Sequence, residues 1–126
     1  MPLVEITLRR GKPPEYLRSL GDAIHEALVS QANVPADDRF QIFHQVAEHE
    51  LIAHPSYAGV DRSHDLVVVR ITLNAGRTLE IKRNLYADLV SRAARAVDLR
   101  PDDVLICLVE VTKENWSFGK GLATYG

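Results

Sequence analysis

The chain has 126 residues, 46% hydrophobic and 25% charged, which fits one domain with a real core. Its 15 Lys and Arg against 17 Asp and Glu give a formal charge of −2, which argues against attachment to nucleic acid through a basic face. The sequence shows no run long and apolar enough for a membrane span and no signal-peptide pattern, and its one cysteine, Cys107, excludes an intrachain disulfide or a multi-cysteine zinc site; the expectation is a cytoplasmic domain without nucleic-acid or membrane partners.

In chain order, Pro2, Val4, Ile6 and Leu8 alternate with more polar residues and predict a strand. Gly11 marks a turn, and Pro13 and Pro14 suit a helix start. The helix predicted from about Pro14 to Gln31 carries Leu17, Leu20, Ile24, Ala27 and Leu28 on one stripe. Pro35 stops it and leads through Asp37-Asp38 into a closing strand, Phe40–Val46. A connector over 47–66 follows, rich in His, Pro, Gly and Asp. Val67, Val69, Ile71 and Leu73 then repeat the strand, and Gly76 the turn. A second helix opens at the N-cap Thr78 and buries Ile81, Leu85, Leu89, Ala93 and Val97. Pro101 stops it before the strand Val104–Val111, and a tail over 112–126 closes the chain.

This order is one unit written twice. Shifting the chain by 65 residues lays Val4, Ile6, Thr7, Leu8 and Gly11 on Val69, Ile71, Thr72, Leu73 and Gly76 without a gap. The same shift matches Glu15, Arg18 and Leu20 with Glu80, Arg83 and Leu85, and Asp37-Asp38 with Asp102-Asp103. The predicted fold is α/β: two tandem β-α-β units, about 2–46 and 67–111, forming one domain (1–126) with a four-stranded sheet and two helices on one face. The other face is left apolar and in need of cover by further subunits.

Several residues carry chemistry. Removal of the initiator Met is expected before a small residue such as Pro2, and it leaves a secondary amine at the head of a strand. An α-amino group titrates near pH ~8 in water and loses its proton more readily when buried, so it can serve as general base or acid. Against this, many chains begin Met-Pro without consequence. Arg77 follows Gly76 between strand and helix, where its guanidinium can meet a carboxylate at two points; a solvated turn cation is the alternative. Lys12 is its first-copy counterpart.

Asp38 sits in an Asp pair present in both copies, which a turn-forming role explains, whereas Arg39 is opposed by Val104 and marks something particular to the first copy. In the tail, Trp116 and Phe118 stand beside Gly119 and Gly121, aromatic bulk suited to walling a small pocket or to packing on a neighbouring subunit. His44, His49 and His54 recur every five residues, on neither one helix face nor one strand face, so no metal site is expected from them. Cys107, inside VLICLVEV, reads as a small core residue.

With these residues in place the sequence resembles the tautomerase superfamily, whose unit is a strand-helix-strand chain opening on proline and whose longer members fuse two units. Pro2, GRTLEIKR and FGKG are similar to the single-unit 4-oxalocrotonate tautomerase pattern. Pro2, DRFQI at Asp38–Ile42, AGRT at Ala75–Thr78 and NWSFG at Asn115–Gly119 resemble the malonate semialdehyde decarboxylase group. The resemblance implies that Pro2 is the catalytic amine, that Arg77 holds or polarises the substrate carboxylate or carbonyl, and that Asp38 assists Pro2 or orients water. It further implies a pocket lined by Trp116, Phe118 and Tyr125, and no cofactor or metal. Some decarboxylases carry two arginines where this chain has Asn74-Ala75-Gly76-Arg77, with one.

The leading expectation is therefore a cofactor-independent tautomerase acting on a small oxo or enol acid. Decarboxylation or hydration of a 3-oxo acid at the same site is the alternative, and a catalytically silent oligomeric binding module is the alternative of another class. The resemblance also implies a homotrimer of about 42 kDa with three active sites.

Overall fold

The computed structural model describes residues 1–125. Strands β1 (Leu3–Arg9), β2 (Gln41–Val46), β3 (Val67–Asn74) and β4 (Val104–Val111) form one sheet in the order β2-β1-β3-β4. Helix α1 (Pro14–Gln31) joins the first two strands and α2 (Leu79–Val97) the last two. β1 pairs with β2 and β3 with β4 in parallel, while the two copies meet antiparallel at β1 and β3, with Ile6 opposite Val69 and Val4 opposite Ile71. The four-stranded, two-helix fold expected from the sequence is the one observed.

Strand parity makes the core. Val4, Ile6 and Leu8 on β1 and Val67, Val69, Ile71 and Leu73 on β3 are buried under Leu20, Ile24, Ala27 and Leu28 of α1 and Leu85, Leu89 and Ala93 of α2. Fully burying each of the larger side chains contributes about 1.5–3 kcal/mol. Leu17, Ile81 and Val97 are half-buried at the ends of the predicted stripes.

The repeat extends to the backbone. Asn33 and Asp98, one shift apart, both have left-handed φ, at 57° and 56°. Gly11 and Gly76 match at 124° and 128°, values that L side chains rarely adopt. The amides of Arg10 and Ala75 close equivalent turns onto the carbonyls of Val46 and Val111.

The opposite face departs from the expected apolar surface. Leu3, Ile42, Val68, Leu105 and Val109 lie there with Glu5, Thr7, His44 and Arg70, and His44 Nε2 stands 3.2 Å from Glu5 Oε1. Cys107 also belongs to this face, where it is exposed; the expected core position is wrong. The reason is parity: Val104, Ile106 and Leu108 turn toward the helices, so Leu105, Cys107 and Val109 turn away. Among the described residues no helix is long and apolar enough to cross a membrane.

Candidate active site

The antiparallel junction brings distant segments together at one end of the sheet. Leu3 pairs with Thr72, so the chain start runs level with the end of β3 and its turn. On the other side, Val4 N–H donates to the Phe40 carbonyl at 2.9 Å, which sets the start of β1 beside the segment entering β2.

Pro2 is buried at this end, continuing the inward parity of Val4. Met1 precedes it, its side chain 5% exposed and its amine 3.6 Å from Asp38 Oδ2. The other carboxylate oxygen, Asp38 Oδ1, is buried without a hydrogen-bond partner among the described residues. A buried acceptor left unpaired costs about 1–3 kcal/mol, more when charged, so this atom calls for an explanation.

Arg77 lies across the same end. Its Nε and Nη2 donate to the Ala32 carbonyl at 3.1 and 2.8 Å, and Nη1 donates to the Asn74 carbonyl at 3.0 Å. Ala32 is the C-cap of α1, whose last turn has no basic residue, so Arg77 supplies from the other copy the cation a helix C-terminus favours. Its place at the turn predicts substrate binding or a solvated cation, and nothing local in the sequence points to this capping role. Two of the five guanidinium N–H groups, one on each terminal nitrogen, remain for another acceptor.

The tail folds over this end. Trp116 Nε1 donates to Asn74 Oδ1 at 2.7 Å, fastening the indole to the turn that carries Arg77. Phe118 packs 5.6 Å from Trp116, 5.5 Å edge-on from Tyr125, and 6.4 Å in a stack with Phe40. Trp116, Phe118 and Tyr125 thus pack as one connected aromatic cluster. Asn74 and Phe40 were missed as site residues: Asn74 reads as an ordinary strand end, and Phe40 as one more strand aromatic. The match of DRFQI to the decarboxylase group was the available signal for Phe40.

The histidines stay apart. His44 faces Glu5, and His54 Nδ1 accepts from Ser56 N–H within the connector. Among the described residues no three His, Cys, Asp or Glu side chains are grouped to hold a metal ion.

The duplicated β-α-β sheet is the fold of the fused tautomerases. Family models described as "Tautomerase enzyme" match residues 2–60 and 38–119. A probable tautomerase of Bacillus subtilis (strain 168), YusQ, is 38% identical over 98% of this chain and 97% of its own. A crystal structure of malonate semialdehyde decarboxylase superposes with a TM-score of 0.92 at 33% identity, covering 98% of this chain and 95% of that one. A fused 4-OT solved as a symmetric trimer shares the fold, with a TM-score of 0.77 at 24% identity over 95% of this chain and 94% of its own. The chain belongs to the tautomerase superfamily as a fused, two-unit enzyme.

Proposed function

We propose that the chain, once Met1 is removed, uses the Pro2 amine to move a proton between carbon and oxygen of a small oxo or enol acid. The observation that carries this reading is the chain start held beside Asp38, whose second carboxylate oxygen has no partner among the described residues. With Met1 in place the Pro2 nitrogen is an amide. Its removal hands the terminal amine to Pro2 and frees the space the methionine side chain fills. Arg77, already braced by two backbone carbonyls, offers its remaining N–H groups to a carboxylate or developing enolate without reorganising. Trp116, with Phe118 and Tyr125 still part exposed in the single chain, supplies the apolar wall that would exclude water and strengthen those charges once a neighbouring copy covers it.

Asp38 favours a second reading, decarboxylation or hydration of a 3-oxo acid. Its free oxygen suits holding a water or a protonated Pro2, while Pro2 and Arg77 stabilise the enolate left as CO2 departs. The similarity to malonate semialdehyde decarboxylase supports this alternative. The proposed assembly is a homotrimer with the mixed face between copies, a reading supported by the trimeric fused 4-OT of the same fold. The amine heads one unit per chain, which gives three sites, and the expected compartment is the cytoplasm.

Intact mass comes first, and should be short by one Met residue; a native chain retaining Met1 overturns the proposal. Phenylenolpyruvate and malonate semialdehyde then separate the two reactions: rapid ketonisation without CO2 release supports the first, CO2 release the second. Pro2→Ala should stay a folded oligomer while losing about 10²–10⁴-fold in turnover, the scale of a positioned acid or base.

A further inference from the structure

We infer that Arg39 is a positioning residue, the head of a clamp formed with Gly21, Asp22 and Gln41 that holds Asp38 and Phe40 in the site; the inference rests on the function proposed above. Arg39 Nη2 stands 2.8 Å from Asp22 Oδ1, and its Nε and Nη2 donate to Gln41 Oε1 at 3.2 and 3.1 Å. Gln41 Nε2 in turn donates to the Gly21 carbonyl at 2.8 Å. The approach leaves no room on the helix: a Cβ at Gly21 would stand 2.6 Å from Gln41 Oε1 and 3.3 Å from Arg39 Nη2. Two consecutive residues of α1 thereby grip the side chain of Arg39, in the segment entering β2, and that of Gln41, the first residue of β2.

The repeat shows that this is no requirement of the fold. One shift along, Gly21, Asp22, Arg39 and Gln41 become Tyr86, Ala87, Val104 and Ile106, so the polar set is replaced as a whole by nonpolar side chains and a tyrosine. Both copies nevertheless make the same preceding turn, with Asp38 N–H on the Pro35 carbonyl and Asp103 N–H on the Arg100 carbonyl. They differ in how the following aspartate is held. Asp103 is fixed directly, accepting from Ser63 N–H, Ser63 Oγ and Arg100 Nη1. Asp38 Oδ1 has no such partner, and a carboxylate kept free for substrate has to be placed through its backbone. Arg39 is the next residue and turns toward α1, so Asp38 and Phe40 on either side turn the other way, toward Met1 and Phe118.

The test is a double-mutant cycle with a structural readout, using phenylenolpyruvate or malonate semialdehyde, whichever the wild type converts. Arg39→Val, the second copy's own residue, should lower kcat about tenfold with little change in KM, as misplacement of a reacting group does. In an Asp38→Asn background the same change should cost much less, only what the clamp contributes through Phe40, because its main action is on Asp38. Hydrogen exchange at Val4 N–H, bonded to the Phe40 carbonyl, should accelerate in Arg39→Val whether or not the enzyme turns over either probe. If Arg39→Val fails to fold, Asp22→Asn removes the ion pair at nearly constant shape and should show a smaller loss in the same direction. An impaired Asp38→Asn beside an Arg39→Val that matches wild type in rate and exchange overturns the clamp alone. An Asp38→Asn with wild-type kinetics overturns the role of Asp38 and, with it, the clamp.

Discussion

The two ends of the sheet are built from the same unit and have opposite fates. At one end the chain start meets Asp38, whose second carboxylate oxygen has no partner among the described residues, and the Arg77 turn and the aromatic tail close the same end. At the other, the connector occupies the equivalent place. Val67 stands mid-chain where Pro2 heads the first copy, and Asp103, fully buried, is sealed by Ser63. Arg9 reaches the carbonyls of Glu48, Leu51 and His64, and Arg100 that of Asp61, tying the connector down. Lys12, the counterpart of Arg77, pairs with Asp65 at 3.0 Å and lies over the Tyr16 ring. The difference teaches that duplication supplied two equivalent sheet ends, and the path of the chain left one open and filled the other.

The sharpest break of this comparison is Arg77→Ala. If Arg77 binds an anion whose charge grows in the transition state, kcat/KM should fall about 10²-fold with both kcat and KM affected. Because Arg77 also caps α1, thermal unfolding should register a loss of about 1 kcal/mol. Kinetics unchanged beside a lowered Tm would make Arg77 a helix cap and nothing more.

Paired substitution of the equivalent aspartates comes next. Asp38→Asn should lower turnover at least tenfold, within the range of acid-base assistance, and leave Tm near wild type. Asp103→Asn should do the reverse, costing about 1–3 kcal/mol by disturbing a buried, bonded carboxylate while kcat is kept below the melting temperature. Denaturant unfolding and steady-state rates on the same four preparations (wild type, each single variant and the double) check the crossover. Equal stability losses for the two would make the ends alike.

The smallest effect belongs to the closed end and appears in alkali. The hydrogen bond to Asp65 raises the Lys12 pKa above its ordinary value, outweighing the opposing effect of burial. A raised folded-state value means that the pair's stabilisation is complete below the unfolded lysine pKa, near 10.4, and fades as pH rises through the folded value. Lys12→Met should remove that part of the alkaline decline, under about 1 kcal/mol for a surface pair, without altering turnover at neutral pH. Tm measured between pH 8 and about 11 reads it directly.

Much of this molecule was legible in one dimension because its signals are local. Alternation in Val4-Ile6-Leu8 and Val69-Ile71-Leu73, the apolar helix stripes, the Pro helix boundaries and the Gly turns are decided by neighbours within a few residues, and the repeat doubled each signal. Pro2, Arg77, Trp116 and Phe118 stood out because the amine, the cation at a turn and the Gly-flanked rings each have a chemistry of their own, whereas Asp38 and Tyr125 were marked only by the family resemblance. Tertiary structure alone decided what those groups touch. Sequence gave no sign that Arg77 would cap α1 across 45 residues, or that Trp116 would bond Asn74 across 42. Cys107 looked buried because an apolar run on an edge strand does not say which face the helices cover. Asp38 and Asp103 occupy equivalent turns in equivalent repeats, yet one Asp38 oxygen is orphaned while both Asp103 oxygens are hydrogen-bonded. The physical reason is that hydrogen-bond partners arrive from segments far along the chain, and only the antiparallel meeting of β1 and β3 and the course of the connector determine which aspartate receives them.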